Sequence, residues 1–218
     1  MSYDLIPGSE LAQQVGRAMA CYRAGWQLVD SELYELCRRR SNPEDFDDTY
    51  TKVAIIARVY SAGLNRAWRG SPKPAAEVQV AECLVSHASL IANRLKELAD
   101  QPFNRDSLIN IVVLHGQLTR TLSGSAGVSL TSFVSKYLHF HCPIVPVYDS
   151  RARARIRRGF VDLSAARNLQ AAVADPDVLD PAYDWFATVF LALNERIYAE
   201  TSLQPSVKEV DYLPWQAG

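Results

Sequence analysis

The chain has 218 residues, 48% of them hydrophobic and 22% charged, and its formal net charge is −1. That composition supports a soluble domain with a substantial core and excludes a chain that is basic throughout. A nucleic-acid partner would have to be met by a local basic patch.

Four cysteines at irregular positions, Cys21, Cys37, Cys83 and Cys142, form neither a metal-ligand spacing nor a disulfide framework. They read as reduced thiols of a cytoplasmic protein. The opening MSYDLIPGSELAQQ lacks the basic-then-apolar start of a signal peptide. Apolar runs such as Val53–Ala57 are far too short to span a membrane. A monomer with no membrane partner, no metal and no cofactor is expected.

Helical periodicity runs through almost the whole chain. Ser9 is a candidate cap for a helix carrying Leu11, Val15, Ala18, Met19 and Tyr22, interrupted at Gly25. Leu28, Leu33, Leu36 and Cys37 continue a helical stripe to Arg38–Arg40, and Asn42-Pro43 breaks it. Acids at Asp45, Asp47 and Asp48 precede a helix expected over Thr49–Trp68. Gly70–Pro74 is a loop, followed by one long helix over Ala75–Ala99 and another over Arg105–Leu122. Ser123–Gly127 is a tight connection to a helix near Leu130–Phe140. Pro143 and Pro146 force an extended turn, after which Asp149 opens a basic helix. A strongly apolar helix spans about Ala182–Thr201. No internal repeat and no run of alternating strands is visible. The expected fold is all-α over residues 1–218, one domain or two small lobes sharing a core.

The chemistry-bearing residues concentrate in Ser132–Arg158. Asp149 suits a helix N-cap, and the same fixed carboxylate suits a catalytic acid or base; the two roles are compatible. Arg151, Arg153, Arg155, Arg157 and Arg158 place five guanidinium groups in eight residues with no acid between them. A solvated face is the ordinary reading of a charge run, but this one is better explained by a polyanion, because Arg forks match phosphates. His139 and His141 stand two apart on a helix, so they point in different directions and do not form a metal pair. One reads as a buried, hydrogen-bonded histidine and the other as a residue facing a site. Lys136 reads as a helix-surface lysine, with amine nucleophile as the sharper alternative. Gly124 and Gly127 offer either a plain helix–helix turn or backbone N–H groups for a phosphate.

Read as helix, proline turn, Asp and basic helix, Gly127–Arg158 resembles the catalytic stretch of the helix–hairpin–helix DNA glycosylases, in particular the 8-oxoguanine glycosylase branch. Ile144-Val145-Pro146-Val147-Tyr148-Asp149 is similar to that family's Val-Pro-Val-Asp turn, with one extra residue before the acid. Ala126-Gly127-Val128-Ser129 stands where the hairpin's Pro-Gly-Val-Gly would be, with Ala for the leading Pro and Ser for the second Gly. Leu130 and Thr131 occupy the positions nearest the catalytic Lys of bifunctional members, and Lys136 comes more than a turn later.

The resemblance implies a single glycosylase-like domain with two lobes and a cleft, its hairpin and catalytic segment at about 105–158, and a monofunctional glycosylase that flips a base out of DNA and excises it. The base would be an oxidised purine or a phage hypermodified base such as glucosylated hydroxymethylcytosine, since some similar bacterial proteins are associated with anti-phage defence. It implies Asp149 as the catalytic residue. Tyr148, His139, His141, Tyr60 and Asn65 are the substrate-pocket candidates. Arg151, Arg153, Arg155, Arg157, Gly124, Gly127 and Lys136 are the DNA contacts. The competing expectation is a catalytically silent nucleic-acid-binding module of a defence system.

Overall fold

A computed structural model describes residues 5–60, 62, 64, 76–156, 160–161, 173 and 175–216. The described residues are helical, without a β-strand. None of their helices is long and apolar enough to cross a membrane. Asn65 and Arg157, along with Arg158, lie outside the described residues.

Helix α1 (Gly8–Gly25) buries Leu11, Val15, Ala18 and Tyr22, a stripe at three- and four-residue spacing. It starts directly after Pro7, whose extended backbone makes the entry without a side-chain cap, so Ser9 falls inside the first turn and is not the cap. Helix α2 (Gln27–Arg39) buries Leu33, Cys37 and, unusually, Asp30. Helix α3 (Phe46–Val59) begins three residues before the expected Thr49 because the Asp45 side chain accepts from the Asp48 N–H at 2.8 Å.

The expected long helix over 75–99 is two helices, α4 (Ala76–Ser86) and α5 (Ala88–Leu98). At the break, Ser86 Oγ donates to the Cys83 carbonyl at 2.8 Å and His87 Nδ1 approaches the same oxygen at 2.9 Å. The His87 backbone N–H bonds instead to Leu84 O. Local side-chain donors have displaced the helical ladder there, a competition that apolar periodicity does not record.

Helix α6 (Arg105–Ala126) opens with a reciprocal Asn104–Ser107 capping box and closes at Gly127, whose φ of 65° is the left-handed conformation that glycine tolerates. Helix α7 (Thr131–His141) is the most enclosed element, with every residue from Phe133 to Phe140 buried. It packs against α2, α3 and α6. Helix α8 (Ser150–Ile156) is short and basic. Helix α9 (Pro181–Glu200), capped by Asp180, buries Tyr183, Phe186, Phe190, Leu193 and Ile197 against α1 and α6. Helix α10 (Val207–Gln216) packs on α1 and α8.

Two histidines are sealed in this core. His115 stacks flat on Tyr183, centroids 3.6 Å apart, and its Nε2–H donates to Thr131 O at 3.1 Å. His139 donates from Nδ1 to Val145 O at 2.7 Å, and its Nε2 accepts from the Tyr34 hydroxyl at 2.5 Å. Burial pushes the two imidazoles down from 6.5, to about 4 and about 3 respectively. The unfolded chain therefore takes up protons near pH 6.5 while the folded chain does not. Stability from these groups is complete above that pH and is lost as pH falls toward 4, because each histidine takes up a proton in the unfolded chain before it does in the folded one. Urea midpoints are expected to fall between pH 6.5 and 4, with a shallower fall in His115→Gln.

Candidate active site

The turn that carries Asp149 is stapled from both sides. Tyr183 of α9 donates its hydroxyl to Pro146 O at 2.9 Å, and His139 of α7 holds Val145 O. The Tyr148 N–H donates to Ser135 Oγ at 3.0 Å, and Ser132 Oγ donates to Tyr148 O at 3.3 Å. Four bonds to two rigid helices fix the residue that follows. Asp149 Oδ1 then accepts from the N–H groups of Arg151 at 2.8 Å and Ala152 at 3.2 Å, so the carboxylate is the N-cap of α8.

Asp149 is half-buried and lines a cavity of about 620 Å³. Lys136 of α7 lines the same cavity. It is 4% exposed, and its Nζ donates to Ser132 Oγ at 2.6 Å. The expectation of a surface lysine is therefore corrected. Position 136 falls on the buried length of α7, where the aliphatic stem packs and the amine opens into the cavity. Burial lowers its pKa, with Asp149 and Asp211 pulling the other way.

Helix α10 supplies a second acid–base pair. Lys208 Nζ lies 3.2 Å from Asp211 Oδ2, and both residues line the cavity. Burial raises the Asp211 pKa against the pull of Lys208 and Lys136. Behind them, Lys208 Nζ is 4.0 Å from Asp30 Oδ2 and sits 4.7 Å from the centre of the Tyr60 ring. The Tyr60 hydroxyl donates to Asp30 Oδ1. Trp26, Tyr60 and Tyr212 give the cavity an aromatic side. Three cations (Lys136, Lys208 and Arg151), two carboxylates (Asp149 and Asp211) and three aromatic rings thus line one space, able to hold a planar polar group and stabilise charge developing on it.

The Arg run divides. Arg151 is exposed and lines the cavity. Arg153 lies 4.9 Å from the Trp185 ring centre, and Arg155 donates from Nη1 to Pro214 O at 2.7 Å. Successive positions two apart on a helix turn by about 200°, so the described arginines do not form one face. The absence of interleaved acids is met in part by an aromatic ring on α9 and a carbonyl on α10, partners that a search for acids in sequence misses.

The two glycines are also committed to the protein. Gly124 is inside α6, and the Gly127 N–H donates to Ser123 O at 2.9 Å, so neither expected backbone donor is free for a phosphate. Gly127 lines a different cavity, of about 500 Å³, with Gly116, Arg120 and Asp180. Of the pocket candidates, Tyr60 lines the Asp149 cavity. Tyr148 packs edge-on against Phe186, centroids 5.4 Å apart. His139 stands one layer behind, and His141 lines a separate cavity.

Trp26, Lys208, Asp211 and Tyr212 were not evident from sequence. The signal that marks two of them is an i, i+3 Lys–Asp pair set among Val207, Val210 and Leu213, charges placed where a helix buries its stripe. No protein-family model, curated protein or solved structure matches the chain.

Proposed function

We propose that the chain is a monofunctional DNA N-glycosylase acting on a modified base. The observation that carries this reading is the Asp149 carboxylate, oriented by two backbone N–H groups and lodged in the wall of a cavity with an aromatic side. At about 620 Å³, the cavity falls in the range of roughly 300–1,000 Å³ in which proteins hold small organic groups. A base flipped from the helix would stack on Trp26, Tyr60 or Tyr212. Its sugar would then lie against Asp149.

Cleavage of the C1′–N bond leaves the electron pair on the base and positive charge on the sugar. A preorganised carboxylate stabilises that charge. Water adds to C1′, Asp149 takes its proton, and the departing base gains one. The products are a free base and an abasic site. Lys208 and Asp211, a donor beside an acceptor, complement the polar edge of a nucleobase. Oxidised purines and phage hypermodified bases, glucosylated hydroxymethylcytosine among them, are the substrates to test.

Lys136 in the same cavity supports a second reading, a lyase in which the amine attacks C1′ and forms a Schiff base. Borohydride trapping of a covalent protein–DNA adduct separates the two.

The testing experiment is incubation with genomic DNAs from phages of differing base chemistry and with oxidised duplexes. Alkali-labile sites on at least one modified DNA are expected. DNA binding without release of any base would favour a catalytically silent binding module instead. The same reading gives Arg151 a phosphate. Arg151→Ala is expected to lower the slope of log affinity against log salt by about 1. Arg155→Ala should leave that slope unchanged and lower the melting temperature, because its guanidinium ties α8 to α10.

A further inference from the structure

A cavity of about 400 Å³ opens between α2, α3, α5 and α7, and it shares no lining residue with the Asp149 cavity. Two incompletely partnered polar groups line it. Lys52 is 1% exposed, and one of its three ammonium protons is used, on Arg40 O at 2.9 Å. Among the described residues no carboxylate lies within ion-pair distance of it. Asp48, an acid within its electrostatic reach, is held by Arg40 at 2.7 Å. A buried ammonium without a counter-ion is costly, and burial accordingly pushes the Lys52 pKa down.

His141 lines the same cavity. Its Nδ1–H donates to Tyr137 O at 2.8 Å, which leaves Nε2 a lone-pair acceptor, and that atom is buried with no hydrogen-bond partner. Burial and the nearby Lys52 push this imidazole down to about 4, so it is neutral near pH 7 and accepts, rather than donates, at Nε2. The same lining includes the apolar Ile91, Leu95 and Phe140 and, among polar side chains, Tyr34, Arg38 and Ser41.

Buried polar groups of folded proteins have partners in the great majority of cases. A cation lacking an ion-pair partner and an acceptor lacking a donor, on one cavity that also carries apolar side chains, together describe a ligand. We propose that this cavity binds a small organic anion, its charged group on Lys52 Nζ, its apolar body against Ile91, Leu95 and Phe140, and a hydroxyl or N–H of its own donating to His141 Nε2. Carboxylates and phosphomonoesters share that chemistry. The site is independent of the glycosylase reading.

The test is calorimetric titration of the full chain with benzoate, its three monohydroxy isomers, phenyl phosphate and neutral benzamide, with ¹⁵N NMR of the histidine rings alongside. Benzoate or phenyl phosphate is expected to bind at least about tenfold more tightly than benzamide, since a buried charged partner distinguishes them. One hydroxybenzoate should improve on benzoate by about fivefold and shift the His141 Nε2 resonance. Lys52→Met should remove the preference for anions. His141→Phe should abolish the hydroxyl's advantage while leaving benzoate binding in place, a readout that remains if Lys52→Met fails to fold. Equal binding of benzamide and benzoate, no binding of any anion, an unmoved His141 signal, or anion preference persisting in folded Lys52→Met would each overturn the assignment.

Discussion

Asp149→Asn is expected to slow base release by about a thousandfold while leaving DNA affinity within about twofold of wild type. The two effects separate because the amide keeps the side chain's size and its Oδ1. That oxygen can still accept from the Arg151 and Ala152 N–H groups, so α8 keeps its cap. What the proposed mechanism requires of Asp149, a negative charge facing the sugar and an oxygen that takes the water proton, is lost. Single-turnover rates on a modified duplex, with affinity measured in parallel, read both. Asp149→Ala makes the contrast: it should lose activity to the same extent and also cost about 1 kcal/mol of stability, because the cap goes with the charge. An Asn variant as active as wild type would remove Asp149 from catalysis and reduce it to a helix cap.

Gly116→Ala is expected to be the most destabilising glycine-to-alanine change among the described glycines. A Cβ there would lie 2.2 Å from Val178 O, 2.9 Å from Leu179 Cα and 3.0 Å from Asp180 N. All three are backbone atoms, so no side-chain rotation relieves the clash, and the connection before α9 must move. The cost is about 3 kcal/mol or more, which for a chain of this size lowers the melting temperature by about 6–12 °C. The displacement reaches Asp180, which accepts from Thr131 Oγ1 at 2.5 Å and caps α9 at Ala182 N, 3.0 Å away. Gly124→Ala is the control. Nothing lies within 4 Å of its added carbon, and helix propensity should make it neutral or stabilising by up to about 1 kcal/mol. Thermal melts of the two variants side by side decide the point.

Much of the helical content was legible because it rests on local signals. The apolar stripe of α1, the start of α6 at Arg105, the proline turn and the Asp149 cap all depend on residues within a few positions of one another. The split at His87 was not legible, because it arises from two side chains competing for one carbonyl. The site divided along the same line. Asp149 and Tyr60 are found in one cavity, but Lys208 and Asp211 arrive from the far end of the chain through the packing of α10 against α8. Lys136 looked exposed because a lysine on a helix usually is, and only the enclosure of α7 on several sides places its amine inside. The Arg run looked uncompensated because the partners of Arg153 and Arg155, Trp185 and Pro214 O, are distant in sequence.

The most direct measurement is product analysis after incubation of modified DNA in H₂¹⁸O. Hydrolysis at C1′ predicts an unlabelled free base, one ¹⁸O on the abasic sugar, and a backbone that stays intact until alkali is added. Label on a phosphate, or no free base from any modified DNA, would contradict it.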